Sequence, residues 1–172
     1  MKTIIRPLPF IAVFILSCLL ASCAGSMDTT AFIPTNAMAS SRTGQPILAA
    51  VSGGSPSSEV LATVSNEDFK QALETSLVKS KMFRNAGSGS YKVEAFITSI
   101  RQPMMGVTMT VEMDVSYTLK KGSSTVMTRS ITSRYSAPMS EAFVGAVRVR
   151  KATEGAVREN IRQLIVALDG KL

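Results

Sequence analysis

The spacing of apolar residues changes several times between residues 46 and 172, and each change indicates a new element of secondary structure. A short apolar run from Ile47 to Val51 predicts a buried strand. Ser65 then has the properties of a helix N-cap, with Asp68 placed three residues later as a capping acid. One helical face follows, formed by Phe69, Ala72, Leu73, Ser76 and Leu77. This pattern predicts a helix with one buried side.

An alternation with a period of two residues predicts three strands after this helix. The first covers residues 91–98 and ends before Pro103. The second, from Val107 to Leu119, is the clearest strand, with one apolar face and one face of Thr, Ser, Glu and Asp. Residues 120–123 have the length of a hairpin connection, so the third strand, over residues 125–135, is expected to be antiparallel to it.

A last helix is predicted to end at about Leu168, with an apolar stripe that includes Val157 and Ile161. Asn160 lies beside this stripe, and we expect it to make a structural hydrogen bond rather than to bind a ligand. The order β-α-β-β-β-α predicts an α+β fold for residues 46–172. Two helices would pack on one face of a four-stranded, mainly antiparallel sheet.

The first 22 residues have the pattern of a secretory signal peptide. Lys2 and Arg6 precede an apolar run, Leu8 to Leu20, that is too short to span a bilayer comfortably. The run ends in Leu20, Ala21, Ser22 and Cys23, which resembles the lipobox of bacterial lipoproteins. This resemblance implies cleavage before Cys23 by signal peptidase II and acylation of its thiol. A weaker alternative box ends at Cys18.

Residues 23–45 differ in composition from the rest of the chain, being rich in Ser, Thr, Ala and Met with no sustained periodicity. This composition predicts a lipidated, flexible tether, whose root-mean-square reach would be about 25 Å. Ala24, next to the acylated cysteine, resembles the sorting signal for the outer membrane. We therefore expect a lipid-anchored protein of the outer membrane that faces the periplasm.

Composition excludes several kinds of chemistry. The chain has no histidine, and removal of residues 1–22 leaves Cys23 as its one cysteine. Triads with histidine, His-ligated zinc, disulfides and a thiol nucleophile are therefore excluded. Glu112, Asp114 and Arg129 fit cross-strand charge pairs on a solvated sheet face better than a catalytic acid pair. The sequence predicts no catalytic residue, no metal and no cofactor.

The charge of the chain predicts an anionic partner. Its 172 residues carry a formal net charge of +7, and loss of Lys2 and Arg6 with the signal peptide leaves +5. Because export removes the usual access to nucleic acid, a membrane surface is the better candidate. Arg148, Arg150 and Lys151 are candidate contacts for an anionic lipid or a partner. The alternative is a solvated, basic helix end.

Met104 and Met105 lie in a predicted connection beside Pro103, where core packing does not require them. Methionine side chains adapt well to apolar surfaces, so these two are candidate hydrophobic contacts for a partner. A Cu(I) site built from methionines is a weaker alternative, since histidine is absent and the one remaining cysteine is the predicted acylation site.

The lipobox, the predicted tether, the order of elements and the stretch Arg148–Leu168 together resemble small outer-membrane lipoproteins of the YajG type. The topology also resembles the lipopolysaccharide-assembly lipoprotein LptE, which would imply a plug for an outer-membrane β-barrel that also contacts lipopolysaccharide. The residues that carry the C-terminal resemblance are Ala152, Glu154, Ala156, Val157, Arg158, Asn160 and Ile161.

Three functions follow from these patterns. The first is a non-enzymatic accessory or scaffold subunit that binds an envelope protein, such as a β-barrel, or an anionic lipid. The second is a lipid-handling auxiliary lipoprotein of an envelope ABC transporter, which requires an apolar groove between sheet and helices. The third is an acyltransferase-type enzyme, for which the sequence offers no pair of nucleophile and base.

Replacement of Cys23 by serine tests the lipobox. Cys23→Ser should abolish incorporation of labelled palmitate and release the protein from membranes, because a hydroxyl is a much weaker nucleophile than a thiol. Cys18→Ser is the matched control and should keep both the label and the membrane association. Palmitate labelling of the Cys23→Ser chain would show that the lipobox has been assigned to the wrong residue.

Overall fold

The computed structural model describes residues 27–54, 62–103 and 105–172. The predicted signal peptide, the lipobox with Cys23, and Met104 lie outside these ranges. The described elements are β1 (Ile47–Gly53), α1 (Asn66–Lys79), β2 (Tyr91–Arg101), β3 (Met109–Lys121), β4 (Ser124–Ala137) and α2 (Gly145–Leu168). The predicted order β-α-β-β-β-α is confirmed.

The four strands form one mixed sheet in the order β1-β2-β3-β4. β1 and β2 are parallel and are joined through α1, whereas β2, β3 and β4 are successively antiparallel. Their register pairs Gly53 with Ile97 and Met109 with Ala137. The predicted α+β architecture, with two helices and a mainly antiparallel sheet, is therefore confirmed.

The start of α1 follows from its sequence. The Ser65 side chain accepts a hydrogen bond from the Asp68 amide at 3.0 Å, which satisfies one of the free amides of the first turn. Val64 and Phe69, on either side of this cap, are both buried. All five residues of the predicted face are buried: Phe69, Ala72, Leu73, Ser76 and Leu77.

β3 forms the centre of the core, and its alternation is as predicted from Met109 onwards, with every second side chain buried through Leu119. The strand begins two residues later than expected, so Val107 is exposed in the β2–β3 connection. The pairing explains this, because Met109 pairs with Ala137, the last residue of β4. Pro138 follows and has no amide to continue the ladder.

A buried hydrogen-bond cluster joins α2 to the sheet. The Tyr117 hydroxyl donates to Asn160 Oδ1 at 2.7 Å, and Asn160 Nδ2 donates to the Ile131 carbonyl at 3.1 Å and to Ser133 Oγ at 3.0 Å. Ser133 in turn donates to the Ala156 carbonyl on α2 at 2.8 Å. Burial raises the pKa of Tyr117 well above its ordinary value, so its hydroxyl stays protonated. The predicted structural role of Asn160 is confirmed.

Residues 27–45 pack on the domain, and the prediction of a flexible tether is wrong for this part of it. A short 3₁₀ helix, Thr29–Phe32, begins where Asp28 Oδ1 accepts a hydrogen bond from the Thr30 amide at 2.9 Å. Its Phe32 side chain is fully buried. The turn contacts both α1 and α2, so it fills the space between the two helices.

The polar groups of this segment bond to distant parts of the chain, which composition does not reveal. Arg158 donates to the Ala31 carbonyl at 2.9 Å, and the amides of Ser40 and Ser41 donate to the Asp169 carboxylate at 3.0 and 2.8 Å. These two amides hold the pKa of Asp169 below its ordinary value. These hydrogen bonds satisfy backbone groups of residues 27–45, so the segment is part of the fold.

Phe32 provides a test of this packing. Phe32→Ala should lower the free energy of unfolding by roughly 3–5 kcal/mol, because it leaves a cavity between the helices. Urea denaturation of the Cys23→Ser chain would measure it. Met38→Ala is the control, since Met38 lies in the same segment but is exposed; its effect should stay within about 0.5 kcal/mol. Equal and small effects would mean that the segment is not packed.

Candidate binding surface

Two connections meet at one end of the sheet. Because Met109 pairs with Ala137, the β2–β3 and β4–α2 connections lie beside each other. We call residues 105–108 and 138–144, with the first two turns of α2, the double-loop end. Five of the eight large apolar side chains that are exposed in the described residues lie here: Met105, Val107, Met139, Phe143 and Val144. Such a concentration is typical of a binding surface.

The exposed fractions of these side chains are high, reaching 88% for both Met105 and Phe143. The other three exposed apolar residues of the described chain are dispersed. Phe96 projects from the outer sheet face, Val166 lies near the end of α2, and Met38 lies in the N-terminal segment. Single exposed residues of that kind are ordinary, so the double-loop end is the feature that requires an explanation.

The start of α2 lacks the features that usually stabilise a helix N-terminus. Val144 is the N-cap residue and makes no side-chain hydrogen bond, and the first turn contains no acidic residue. Arg148, Arg150 and Lys151 follow instead. Because the positive end of the helix dipole favours anions and its effect fades after the first turn, the cation Arg148 at the end of that turn costs stability. The arrangement suits an anion supplied from outside the chain.

Arg148 is buried, with an exposed fraction of 5%. Its Nη2 donates to the Gly106 carbonyl at 3.2 Å, which joins the start of α2 to the β2–β3 connection. Within the described part of the chain, its Nε and Nη1 are buried without a hydrogen-bond partner. A β-carbon placed on Gly145 would lie 3.9 Å from Nη2, so the guanidinium folds back towards the helix start.

The structure divides the predicted basic group into two parts. Arg148 is buried, whereas Arg150 and Lys151, two and three residues further along α2, are partly exposed. Arg150 Nε lies 4.0 Å from Glu154 Oε1. Arg158, one turn beyond Glu154, contacts the Ala31 carbonyl and the Tyr135 ring.

Of the two predicted methionine contacts, Met105 is exposed and adjoins Gly106, the hydrogen-bond partner of Arg148. The sequence does not identify Met139, Val107, Phe143 or Val144 as surface contacts. For the last two a sequence feature was available, because two apolar residues directly precede a helix that has no Ser, Thr, Asp or Asn at its N-cap position.

Carboxylates on the outer sheet face form the expected charge pairs, although with partners other than Arg129. Glu112 bonds to Arg134 and Arg101, while Asp114 accepts hydrogen bonds from Thr132 at 2.5 Å and Ser99 at 2.8 Å. Arg134 first and then Arg101 hold the pKa of Glu112 below its ordinary value, and Thr132 is the main cause of the lowered pKa of Asp114. Both groups are therefore ionised at neutral pH and are poor proton donors.

Within the described ranges, no group of three or more His, Cys, Asp or Glu side chains is arranged to hold a metal ion. None of the helices in this part of the chain is both long enough and apolar enough to span a bilayer.

Comparison with known proteins gives relatives by structure alone. No family model and no curated protein matches the sequence. A Xanthomonas campestris protein described as DUF330 has a TM-score of 0.61 at 12% identity, over 81% of this chain and 91% of that one. A hypothetical protein from Chlamydia trachomatis has a TM-score of 0.53 at 10% identity, over 74% and 97%.

A third similar structure is a minor lipoprotein from Acinetobacter baumannii, with a TM-score of 0.50 at 9% identity, over 75% of this chain and 93% of that one. The likeness establishes the fold alone. The fold therefore occurs in a bacterial lipoprotein, as the lipobox leads one to expect, whereas the resemblance to YajG-type lipoproteins and to LptE is not shown by these matches.

Substitution of Arg148 tests whether this buried arginine lowers the stability of the domain. Arg148→Met should raise the free energy of unfolding by about 1–2 kcal/mol, because it removes a buried cation with two unpaired nitrogens. Arg158→Met, on the same helix, is the matched control and should lower it by about 1 kcal/mol, since Arg158 is hydrogen-bonded. Urea denaturation measures both. A loss of stability in Arg148→Met would show that the arginine serves the fold.

Proposed function

We propose that this protein is a non-enzymatic lipoprotein of the outer membrane. In this proposal Cys23 is acylated after cleavage of residues 1–22, and the domain faces the periplasm. The domain acts as an accessory or scaffold subunit that binds an envelope protein or an anionic lipid through the double-loop end. The observation that carries the proposal is the concentration of exposed apolar side chains beside an uncapped, basic helix start.

The chemistry of this end suits an amphiphilic partner. Met105 and Phe143 offer apolar area, while Arg150 and Lys151 offer partly exposed charges one to two turns into α2. A guanidinium forms paired hydrogen bonds with phosphate or carboxylate, and an ammonium acts as a point charge. A partner that combines apolar groups with such anions would satisfy both kinds of contact.

The alternative of a lipid-handling transporter subunit is less well supported. It requires an apolar groove between the sheet and the helices, and in the described residues this space is filled. Phe32 closes the gap between α1 and α2, and Tyr117 of β3 and Leu164 of α2 are both fully buried. These contacts favour a scaffold whose binding groups lie on its surface.

The enzymatic alternative also receives little support from the described residues. Ser133 is buried and donates its hydroxyl hydrogen to a backbone carbonyl. Glu112 and Asp114 are held ionised by their arginine, threonine and serine partners. Neither arrangement resembles a nucleophile activated by a neighbouring base.

Purification of the acylated protein in a mild detergent, followed by mass spectrometry of the proteins and lipids that accompany it, tests the proposal. We expect an outer-membrane protein in fixed ratio, or bound phospholipid or lipopolysaccharide. Phe143→Asp should lower that recovery, because it places a charge in the apolar surface. Val166→Asp changes another exposed apolar residue, elsewhere on the domain, and should not lower it.

Each outcome of this experiment is informative. An ABC permease in fixed ratio would favour the transporter subunit over the scaffold. Recovery of the protein with neither protein nor lipid would contradict both. Equal losses in Phe143→Asp and Val166→Asp would show that binding does not use the double-loop end.

A further inference from the structure

The N-terminal segment fixes where the anchor joins the domain. The Asp28 amide donates to Glu154 at 3.3 Å, the Ala31 carbonyl accepts from Arg158, and the Ser41 amide donates to Asp169. Residues 28–41 therefore run beside α2 in the same direction as the helix. The described chain begins on the half of α2 that is nearer to the double-loop end.

The length of chain before this point limits the position of the acyl chains. Cys23 lies five residues before Asp28, and five residues span at most about 18 Å. From Glu154, nine residues back to Gly145 correspond to about 14 Å of helix, whereas fifteen residues forward to Asp169 correspond to about 22 Å. Cys23 can therefore reach the level of the double-loop end but not the level of the opposite end.

We infer that the double-loop end rests on the anionic lipid surface of the membrane that holds the acyl chains. This inference rests on the proposed acylation of Cys23. The domain is held against the bilayer through a link of a few residues, rather than standing off it on a tether of more than twenty. The β3–β4 hairpin, at the other end of the sheet, points towards the periplasm.

The double-loop end carries apolar side chains that suit the acyl chains of a bilayer and cations that suit its phosphate headgroups. Phe143, Val144 and Met105 enter the boundary between headgroups and acyl chains, as the apolar residues of interfacial proteins do. Residues 138–151 contain Arg148, Arg150 and Lys151 against a single carboxylate, Glu141, so their net charge attracts lipid phosphates.

The Arg148 guanidinium would gain hydrogen-bond acceptors from this contact. Its Nε and Nη1 have no acceptor within the described residues, and its Nη2 has only the Gly106 carbonyl. A lipid phosphate that displaces this carbonyl would accept two parallel hydrogen bonds from the guanidinium. The anion would also lie at the start of α2, where the helix dipole favours negative charge.

The absence of tryptophan from the chain makes a direct measurement practical. The acylated Phe143→Trp protein is reconstituted into vesicles of phosphatidylethanolamine and phosphatidylglycerol with brominated acyl chains, which quench indole fluorescence on contact. We expect it to lose most of its emission and to shift to shorter wavelength. The Val166→Trp protein is the matched control, near the opposite end of α2, and should keep its emission.

The outcomes distinguish a failure of the proposed lipid anchor from a failure of the proposed orientation. Palmitate labelling and flotation with the vesicles report whether Cys23 is acylated, and failure of both would overturn the proposed anchor together with this inference. A labelled, vesicle-bound Phe143→Trp protein with undiminished emission would overturn the orientation alone. Unquenched emission in vesicles, combined with protection from aqueous iodide in native membranes, would assign the surface to a protein partner instead.

A second measurement tests whether the cations of the double-loop end contribute to vesicle binding. In a chain that begins at residue 23 and carries Cys23→Ser, binding to phosphatidylglycerol vesicles is reversible, and Lys151→Gln should lower the partition coefficient roughly fivefold. Lys171→Gln removes an exposed cation just beyond the C-terminal end of α2 and should leave the coefficient unchanged. Equal effects of the two substitutions would show that the charged contact is not located at the double-loop end.

Discussion

The buried cluster of Tyr117, Asn160 and Ser133 determines the position of α2 on the sheet. Apolar side chains alone tolerate a shift of a helix along its own stripe, whereas these polar groups have partners in only one register. A shift would leave several buried groups unpaired, at about 1–3 kcal/mol each. Gly155 supports the same register, because a β-carbon there would lie 2.2 Å from the Tyr135 ring.

The position of α2 in turn determines the path of the N-terminal segment. Glu154, Arg158 and Asp169 hold it at three points along the length of the helix. Phe32 then completes the layer of the two helices, which contact each other less than either contacts the sheet. A segment that the sequence presents as a linker is thus a structural element of the domain, and its path is set by α2.

Local rules predict much of this fold. The cap at Ser65 and the face of α1 depend on neighbours three or four residues apart, so the sequence displays them directly. The sequence of β4 does not show which of its sides faces inward, because Ser133 is buried through a hydrogen bond to α2 whereas Ser130 is exposed. The packing of residues 27–45 was missed for a similar reason, since their partners lie about 40 to 130 residues away.

The sequence predicts the candidate surface only in part. Arg148, Arg150 and Lys151 look equivalent in the sequence, yet helical geometry turns Arg148 inward and leaves the other two accessible. On the outer sheet face every clustered charge has a partner, as at Glu112 and Asp114. At the start of α2 the cap is missing, the charges have the wrong sign for the dipole, and a buried guanidinium has too few acceptors. Conflicts of this kind collect where selection has acted on binding rather than on stability, and the rest of α2 is packed well enough to sustain the cost.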